Sequence, residues 1–163
     1  MHMLSFTVPD ICDTFDDLKI GDLFLNSYGG NEKFYGQIIT AKCEHSNSVV
    51  KDIVKENGKG KVLLIEHTGS KLCSMVGDQI VNQAFDNKWN GIITNGHIRD
   101  IEIIKDIDIG VYAKNSFPLK TDKSRGVGII NVPVTFGSIN INPDDWIYVD
   151  ANGWVVSSSE LKF

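Results

Sequence analysis

Arginine is scarce in this 163-residue chain. Only Arg99 and Arg125 stand among its 16 basic residues, so a site that needs a planar, bidentate cation has two candidates. Basic charge as a whole is in deficit, with 16 Lys and Arg against 21 Asp and Glu; the formal charge of -5 argues against the basic face that direct nucleic-acid binding requires. Cysteine is limited to Cys12, Cys43 and Cys73, an odd number with no Cys-x-x-Cys pair. That pattern supports neither a disulfide framework nor a zinc ribbon, and suits buried thiols in a reducing compartment. No apolar run approaches the roughly 20 residues of a membrane span, and residues 1–6 have neither a basic n-region nor an apolar h-region. A cytoplasmic protein away from the membrane is the expectation. Gly-x-Gly-x-x-Gly, P-loop and Gly-x-Ser-x-Gly motifs are missing, which removes the simple dinucleotide, NTP and serine-hydrolase readings.

What is present is ordinary globular composition, 42% apolar and 23% charged. The length is close to the roughly 150 residues of one domain, and no repeat or linker interrupts it, so 1–163 reads as a single domain. A helix is predicted over 48–57, with Val49, Val50, Ile53 and Val54 on one face, Ser48 as cap and Gly58 as stop. The continuous apolar run in 61–66 reads as a strand covered on both faces. A second helix is predicted over 79–88, with Ile80, Val81, Ala84 and Phe85 inward, and 91–94 as another buried strand. Together these form a parallel strand–helix–strand unit, expected to cross over right-handed. The segment 23–40, with Gly29-Gly30 in the middle, reads as a turn and then a strand. From Gly110 onward, short β-branched and aromatic runs (111–113, 127–134, 139–141, 146–149, 154–156) alternate with Gly, Pro, Asn and Asp, and Asn152-Gly153 signals a hairpin. The fold class is α/β with a β-rich carboxyl half.

In such sheets ligands bind beyond the carboxyl ends of the parallel strands. Two clusters are expected there. Gly77, Asp78, Gln79 and Ile80 open a helix whose free N–H groups suit a carboxylate or phosphate. Arg99 offers a fork for an oxyanion, and Asp100 a hard oxygen for Mg²⁺ or Mn²⁺. Plainer roles compete: Asp78 as a helix cap, Arg99-Asp100 as a surface helix start. His67 and His97 each follow a buried strand and could approach the same crevice, though a structural role is the commoner one. Cys73 lacks an obvious paired base, which weighs against a nucleophile.

The spacing Gly77-Asp78, 20 residues, Arg99-Asp100 resembles the signature of the RraA-like family. That family includes class II 4-hydroxy-4-methyl-2-oxoglutarate aldolases and the regulator of ribonuclease E activity A. The resemblance extends through Asp10-Ile11-Cys12-Asp13, Gly29-Gly30, Gly36-Gln37-Ile38-Ile39-Thr40, Trp89-Asn90-Gly91, Asp108-Ile109-Gly110, Pro133-Val134-Thr135-Phe136-Gly137 and Asp145-Trp146-Ile147-Tyr148. It implies a compact α/β/β domain similar to swivelling phosphohistidine domains, assembled as a homotrimer with sites between subunits.

It also implies roles. The amides of 77–80 would hold a pyruvyl carboxylate, Asp100 a divalent metal, Arg99 the oxygen that becomes an enolate, and Asp78 metal waters and a proton. The implied substrates are 4-hydroxy-4-methyl-2-oxoglutarate or 4-carboxy-4-hydroxy-2-oxoadipate, with oxaloacetate decarboxylated through the same enolate. Departures include Glu66-His67-Thr68-Gly69 for the usual Asp-Gly-Gly-Gly, expected to bring a charge and an imidazole near the crevice. Pro143-Asp144-Asp145 replaces Pro-Gly-Asp. The chain also stops at Phe163, without the carboxyl-terminal extension of the longer aldolases. In length it resembles the regulator, so a non-catalytic module that inhibits ribonuclease E is the alternative. The retained Gly-Asp and Arg-Asp pairs favour catalysis. A methyltransferase reading is set aside, because no glycine-rich cofactor loop follows the first strand.

Overall fold

The computed structural model describes residues 5–163; most of the stretch read above as lacking a leader lies outside them. In chain order the elements are α1 (Val8–Thr14), β1 (Lys19–Ile20), β2 (Asn26–Ser27), β3 (Phe34–Cys43), α2 (Ser48–Ile53) and β4 (Lys61–His67). Then come β5 (Ser74–Val76), α3 (Asp78–Asp86), β6 (Gly91–Thr94), β7 (His97–Ile98), α4 (Ile101–Ile104), β8 (Gly110–Ala113) and β9 (Asn115–Ser116). The chain ends with β10 (Ile129–Ile130), β11 (Val134–Phe136), β12 (Ile139–Ile141), β13 (Trp146–Asp150) and β14 (Gly153–Ser157).

The main sheet runs β1-β14-β13-β3-β4-β6-β8-β2, with β10 also on β3. Its centre, β3-β4-β6-β8, is parallel, while β13, β14, β1 and β2 join antiparallel. The apolar run of β4 is explained by cover on both faces. Leu63 and Ile65 enter a core with α2, α3 and β5; Val62 and Leu64 enter another with the β11–β12 hairpin. Each such side chain stabilises by about 1.5–3 kcal/mol relative to exposure. The same alternation continues through Ile92 and Ile93 of β6. Helices on one face and a small hairpin on the other give the expected α/β/β layering. At the sheet's far end α1 is tied down where Val8 N–H donates to Asp150 at 2.8 Å.

Several expectations are corrected. Helix α2 ends at Ile53, because Lys55 and Glu56 bond three residues back and the Glu56 carbonyl accepts the Trp89 indole N–H at 3.0 Å. Ser48 does not cap it; Ser46 Oγ accepts the Ser48 N–H instead. Phe85 is 46% exposed, on the flank of α3, while Ile80, Val81 and Ala84 are buried. The run 127–134 is no continuous strand: Gly128 and Asn131 adopt positive φ (89° and 58°) and leave only Ile129–Ile130 paired to β3.

The largest surprise is a second parallel sheet, β5-β7-β9. Strand β5 intervenes between β4 and α3, and β7 between β6 and Arg99. The crevice therefore lies at the ends of β5 and β7, not directly at those of β4 and β6.

Candidate active site

Strand β5 delivers Gly77 and Asp78 to the start of α3, and β7 delivers Arg99 and Asp100. The two strand ends are joined where Arg99 N–H donates to Val76 O at 3.0 Å. Asp100 then takes a left-handed conformation (φ 62°, ψ 36°), and its carbonyl accepts from Ile103 and Ile104 to begin α4. A non-glycine residue held there is strained backbone, which clusters at functional sites. The turn aims the carboxylate back across the gap, where Asp100 Oδ2 accepts the Asp78 N–H at 3.1 Å. Gly77 caps α3 without a side chain, and a Cβ on it would sit 2.7 Å from Asp100 Oδ2. Asp78 is thus the first helical residue, not a side-chain cap.

The cavity so formed has a volume of about 150 Å³ and is lined by Gly77, Asp78, Gln79, Ile80, Arg99 and Asp100. All six residues singled out in the sequence meet in it. Asp78 N–H is occupied by Asp100, so Gln79 and Ile80 offer the first-turn amides that have no carbonyl partner inside the helix. Burial, followed by hydrogen bonding and repulsion from Asp100, raises the Asp78 carboxyl above its ordinary value. Arg99 is exposed and donates one guanidinium N–H to Pro118 O at 3.3 Å, leaving the rest of its fork for a ligand.

Sequence reasoning missed the opposite wall. Asn47, Lys51, Ser74, Lys120, Thr121 and Lys123 complete the lining. Asn47 ties two of these segments together: its Nδ2 donates to Met75 O at 2.8 Å and its Oδ1 accepts from Thr121 Oγ1 at 2.9 Å. Ser74 N–H also donates to Leu119 O at 2.7 Å. These residues come from three distant segments, and no short motif joins them.

Other candidates lie elsewhere. His67 and His97 do not line the cavity. The His97 ring packs on Phe117, and burial lowers the pKa of both imidazoles. Cys73 Sγ lies 3.9 Å from His67 Nε2, a pairing the sequence did not reveal. Burial raises that thiol and lowers that imidazole, the reverse of a thiolate–imidazolium pair. Glu66 turns away from the crevice: its Oε2 accepts the Thr135 N–H at 2.9 Å and Lys42 lies 3.8 Å from Oε1.

Among the described residues no group of three or more His, Cys, Asp or Glu could cage a metal. Asp78 and Asp100 fit the other mode, in which Mg²⁺ keeps several waters and takes one or two carboxylates plus substrate oxygens. No helix among the described residues is long and apolar enough to cross a membrane.

The parallel α/β core thus brings two carboxylates, an arginine and a helix start around one cavity. The family described as Aldolase/RraA matches residues 8–156, and the chain belongs to this RraA-like family. It is 41% identical over 160 residues, 98% of each chain, to a protein of Azotobacter vinelandii named "Putative 4-hydroxy-4-methyl-2-oxoglutarate aldolase". Among solved structures it resembles one from Geobacillus kaustophilus named as an S-adenosylmethionine:2-dimethylmenaquinone methyltransferase, with a TM-score of 0.91, 33% identity, and coverage of 96% of this chain and 97% of that one. It also resembles the RNA-processing inhibitor RraA from Thermus thermophilis, with a TM-score of 0.92 and 24% identity over 98% of this chain and 96% of that one. That second likeness concerns the fold alone.

Proposed function

We propose that the protein is a divalent-metal-dependent aldolase. It cleaves 4-hydroxy-4-methyl-2-oxoglutarate or 4-carboxy-4-hydroxy-2-oxoadipate to pyruvate and a second keto acid, and it decarboxylates oxaloacetate. The carrying observation is the convergence of Asp78, Asp100, Arg99 and the α3 amides on one cavity. Asp100 would hold a Mg²⁺ or Mn²⁺ ion, with Asp78 bonded to its waters. Bound there, the ion supplies Lewis acidity at the 2-keto acid.

The chain's own groups do the rest. The Gln79 and Ile80 amides, at the positive end of α3, bind the pyruvyl carboxylate. A proton leaves the C4 hydroxyl toward Asp78, directly or through water, and the C3–C4 bond breaks. Its electron pair becomes the C2–C3 double bond as charge moves to the C2 oxygen, where the Arg99 fork stabilises it. Protonation at C3 then gives pyruvate. In oxaloacetate, CO₂ leaves instead of the second keto acid and the same enolate results. Asp78, on the cavity wall beside Asp100, is the carboxyl placed to carry the proton in both directions. Exposed Phe24, Ile20, Val127 and Ile129 supply apolar surface for the homotrimer that forms part of this reading.

The test is pyruvate release from oxaloacetate and 4-carboxy-4-hydroxy-2-oxoadipate with Mg²⁺ and with EDTA, against metal-only controls. Enzyme-dependent release should vanish with EDTA and in Asp100→Asn. Arg99→Lys should lose roughly 10²–10³-fold in kcat, as for one oxyanion donor. Full turnover in both variants would sink the mechanism. No release in the wild type would shift weight to the ribonuclease E regulator reading, tested by binding to that enzyme.

A further inference from the structure

Arg99 is held at two points, and both lead back to strand β5. Its backbone N–H donates to Val76 O at 3.0 Å, and its guanidinium donates to Pro118 O at 3.3 Å. The second contact is what aims the fork. An exposed arginine side chain otherwise exchanges among rotamers, and a cation that meets a forming charge acts best when it already stands in place. Whatever fixes the Pro118 carbonyl therefore decides where the fork sits.

That carbonyl belongs to a stretch with little support of its own. Residues 117–119 follow β9 outside any named strand, and Pro118 has no N–H to donate. Its ring locks φ at about −65°, so its carbonyl is aimed by the peptide plane before it and by the one torsion that leads to Leu119. Ser74 holds both neighbours. The Ser74 hydroxyl donates to Phe117 O, and the Ser74 N–H donates to Leu119 O at 2.7 Å. Phe117 is tied further by its N–H to Ile98 O at 2.9 Å, next to Arg99 in the chain, and Lys120 bridges to Ser74 in parallel.

Strand β5 is shaped for the task. Ser74 pairs with His97 and Val76 with Ile98, so β5 carries an extra residue over the same span of β7. A bulge of this kind re-aims a side chain. Here Ser74 reaches residues 117–119 while Val76 O still meets the Arg99 N–H. Ser74 is buried and lines the cavity together with Arg99.

We infer that Ser74 is a positioning residue for Arg99: by clamping the carbonyls on either side of Pro118, it holds in place the carbonyl that orients the guanidinium. The role needs no contact between Ser74 and the substrate. It rests on the aldolase reading only for what the fork does there, the stabilisation of enolate charge.

The scarcity of arginine makes the fork directly observable, since protein labelled with ¹⁵N-arginine gives Nε–H resonances from Arg99 and Arg125 alone. Arg99→Lys assigns them. The heteronuclear NOE of Arg99 should mark an ordered side chain in the wild type and fall toward that of a freely moving one in Ser74→Ala, with Arg125 unchanged. Ser74→Thr keeps the hydroxyl and should keep the order. Ser74→Cys, similar in size with a weak donor, should fall between, and it replaces alanine if that variant does not fold. In oxaloacetate turnover Ser74→Ala should lower kcat roughly 10–100-fold, the scale of a misplacement of about 1 Å. KM should change little, because the Gln79 and Ile80 amides are untouched. In the Arg99→Lys background the same substitution should add almost nothing, the fork being gone.

An Arg99 resonance indifferent to Ser74→Ala would overturn the inference, as would equal losses of kcat with and without Arg99. Should the wild type release no pyruvate, the resonances still decide. Order lost in Ser74→Ala and kept in Ser74→Thr supports the clamp while the aldolase reading fails.

Discussion

The carboxylate of Asp100 accepts the backbone N–H of Asp78, 22 positions earlier, at 3.1 Å. One oxygen thereby satisfies a helix terminus that Gly77 cannot cap, while its carboxylate stays within the cavity. The Gly-Asp and Arg-Asp pairs are thus one unit: the first supplies a helix start with an open amide, the second supplies its acceptor.

Gly77→Ala tests this unit directly. The Gly77 backbone is extended (φ -129°), so alanine suffers no conformational penalty there, but its Cβ would lie 2.7 Å from Asp100 Oδ2. The carboxylate must move. The expected outcome is a folded protein, weakened by about 0.5–2 kcal/mol as for a lost cap, whose Mn²⁺ affinity drops roughly 10–100-fold as for a displaced metal-orienting contact. Titration with Mn²⁺ followed by electron paramagnetic resonance measures it, and unchanged affinity would dissociate Gly77 from the metal site.

Parts of this arrangement were legible in the sequence for physical reasons. The run Val62-Leu63-Leu64-Ile65 read as a strand covered on both faces, and the fixed spacing of Gly77-Asp78 from Arg99-Asp100 pointed to the cavity where these residues meet. Strands β5 and β7 were not legible, because three and two residues carry no period. Nor was the lysine wall: Lys51 sits on α2 and Lys120 and Lys123 in a polar loop, joined by tertiary hydrogen bonds such as Thr121 Oγ1 to Asn47 Oδ1 and Asp122 N–H to His45 O. Phe85 was misread since α3 turns it to the flank, away from the buried Ile80, Val81 and Ala84.

Acid should weaken the fold through its histidines. Burial holds the His67 imidazole below its ordinary value; the Glu44 carbonyl opposes this, and His97 and His45 add to it. Burial followed by Lys114 acts on His97 in the same direction. Unfolding returns both to about 6.5, so the unfolded chain takes up protons more readily. Their contribution is intact above that value and declines as pH falls through it toward the folded values. Urea midpoints should fall between pH 7.5 and 5.5, with a shallower fall in His67→Asn. A midpoint that rises on acidification would contradict the assignment.

The three thiols should separate by reactivity. Cys43 is fully buried, and its pKa is pushed up to about 12, first by burial and then by Cys73. Cys73 is 4% exposed and also raised by burial. Cys12 is exposed, though slight burial and then Asp13 and Asp150 raise its thiol too. With a disulfide reagent at pH 8, one thiol should react in the native protein, more slowly than free cysteine, and three in urea. Rapid reaction of a second native thiol would mean that β5 opens readily.

Asn47 is the residue on which the two walls of the site depend. Its side chain lies in a buried position, donates to Met75 O on β5 and accepts from Thr121 on the lysine loop. Asn47→Ala leaves a carbonyl and a hydroxyl without these partners, so the fold should lose about 1–3 kcal/mol in urea unfolding. The same change unpins Lys120 and Lys123 from the Gly77–Asp78 turn, which a loss of stability alone would not reveal. At temperatures where the variant is fully folded, KM for the dicarboxylate substrate should rise more than kcat falls. Asn47→Asp preserves the acceptor for Thr121 and should recover part of the KM, whereas equal losses in both variants would assign Asn47 to the fold and not to the site.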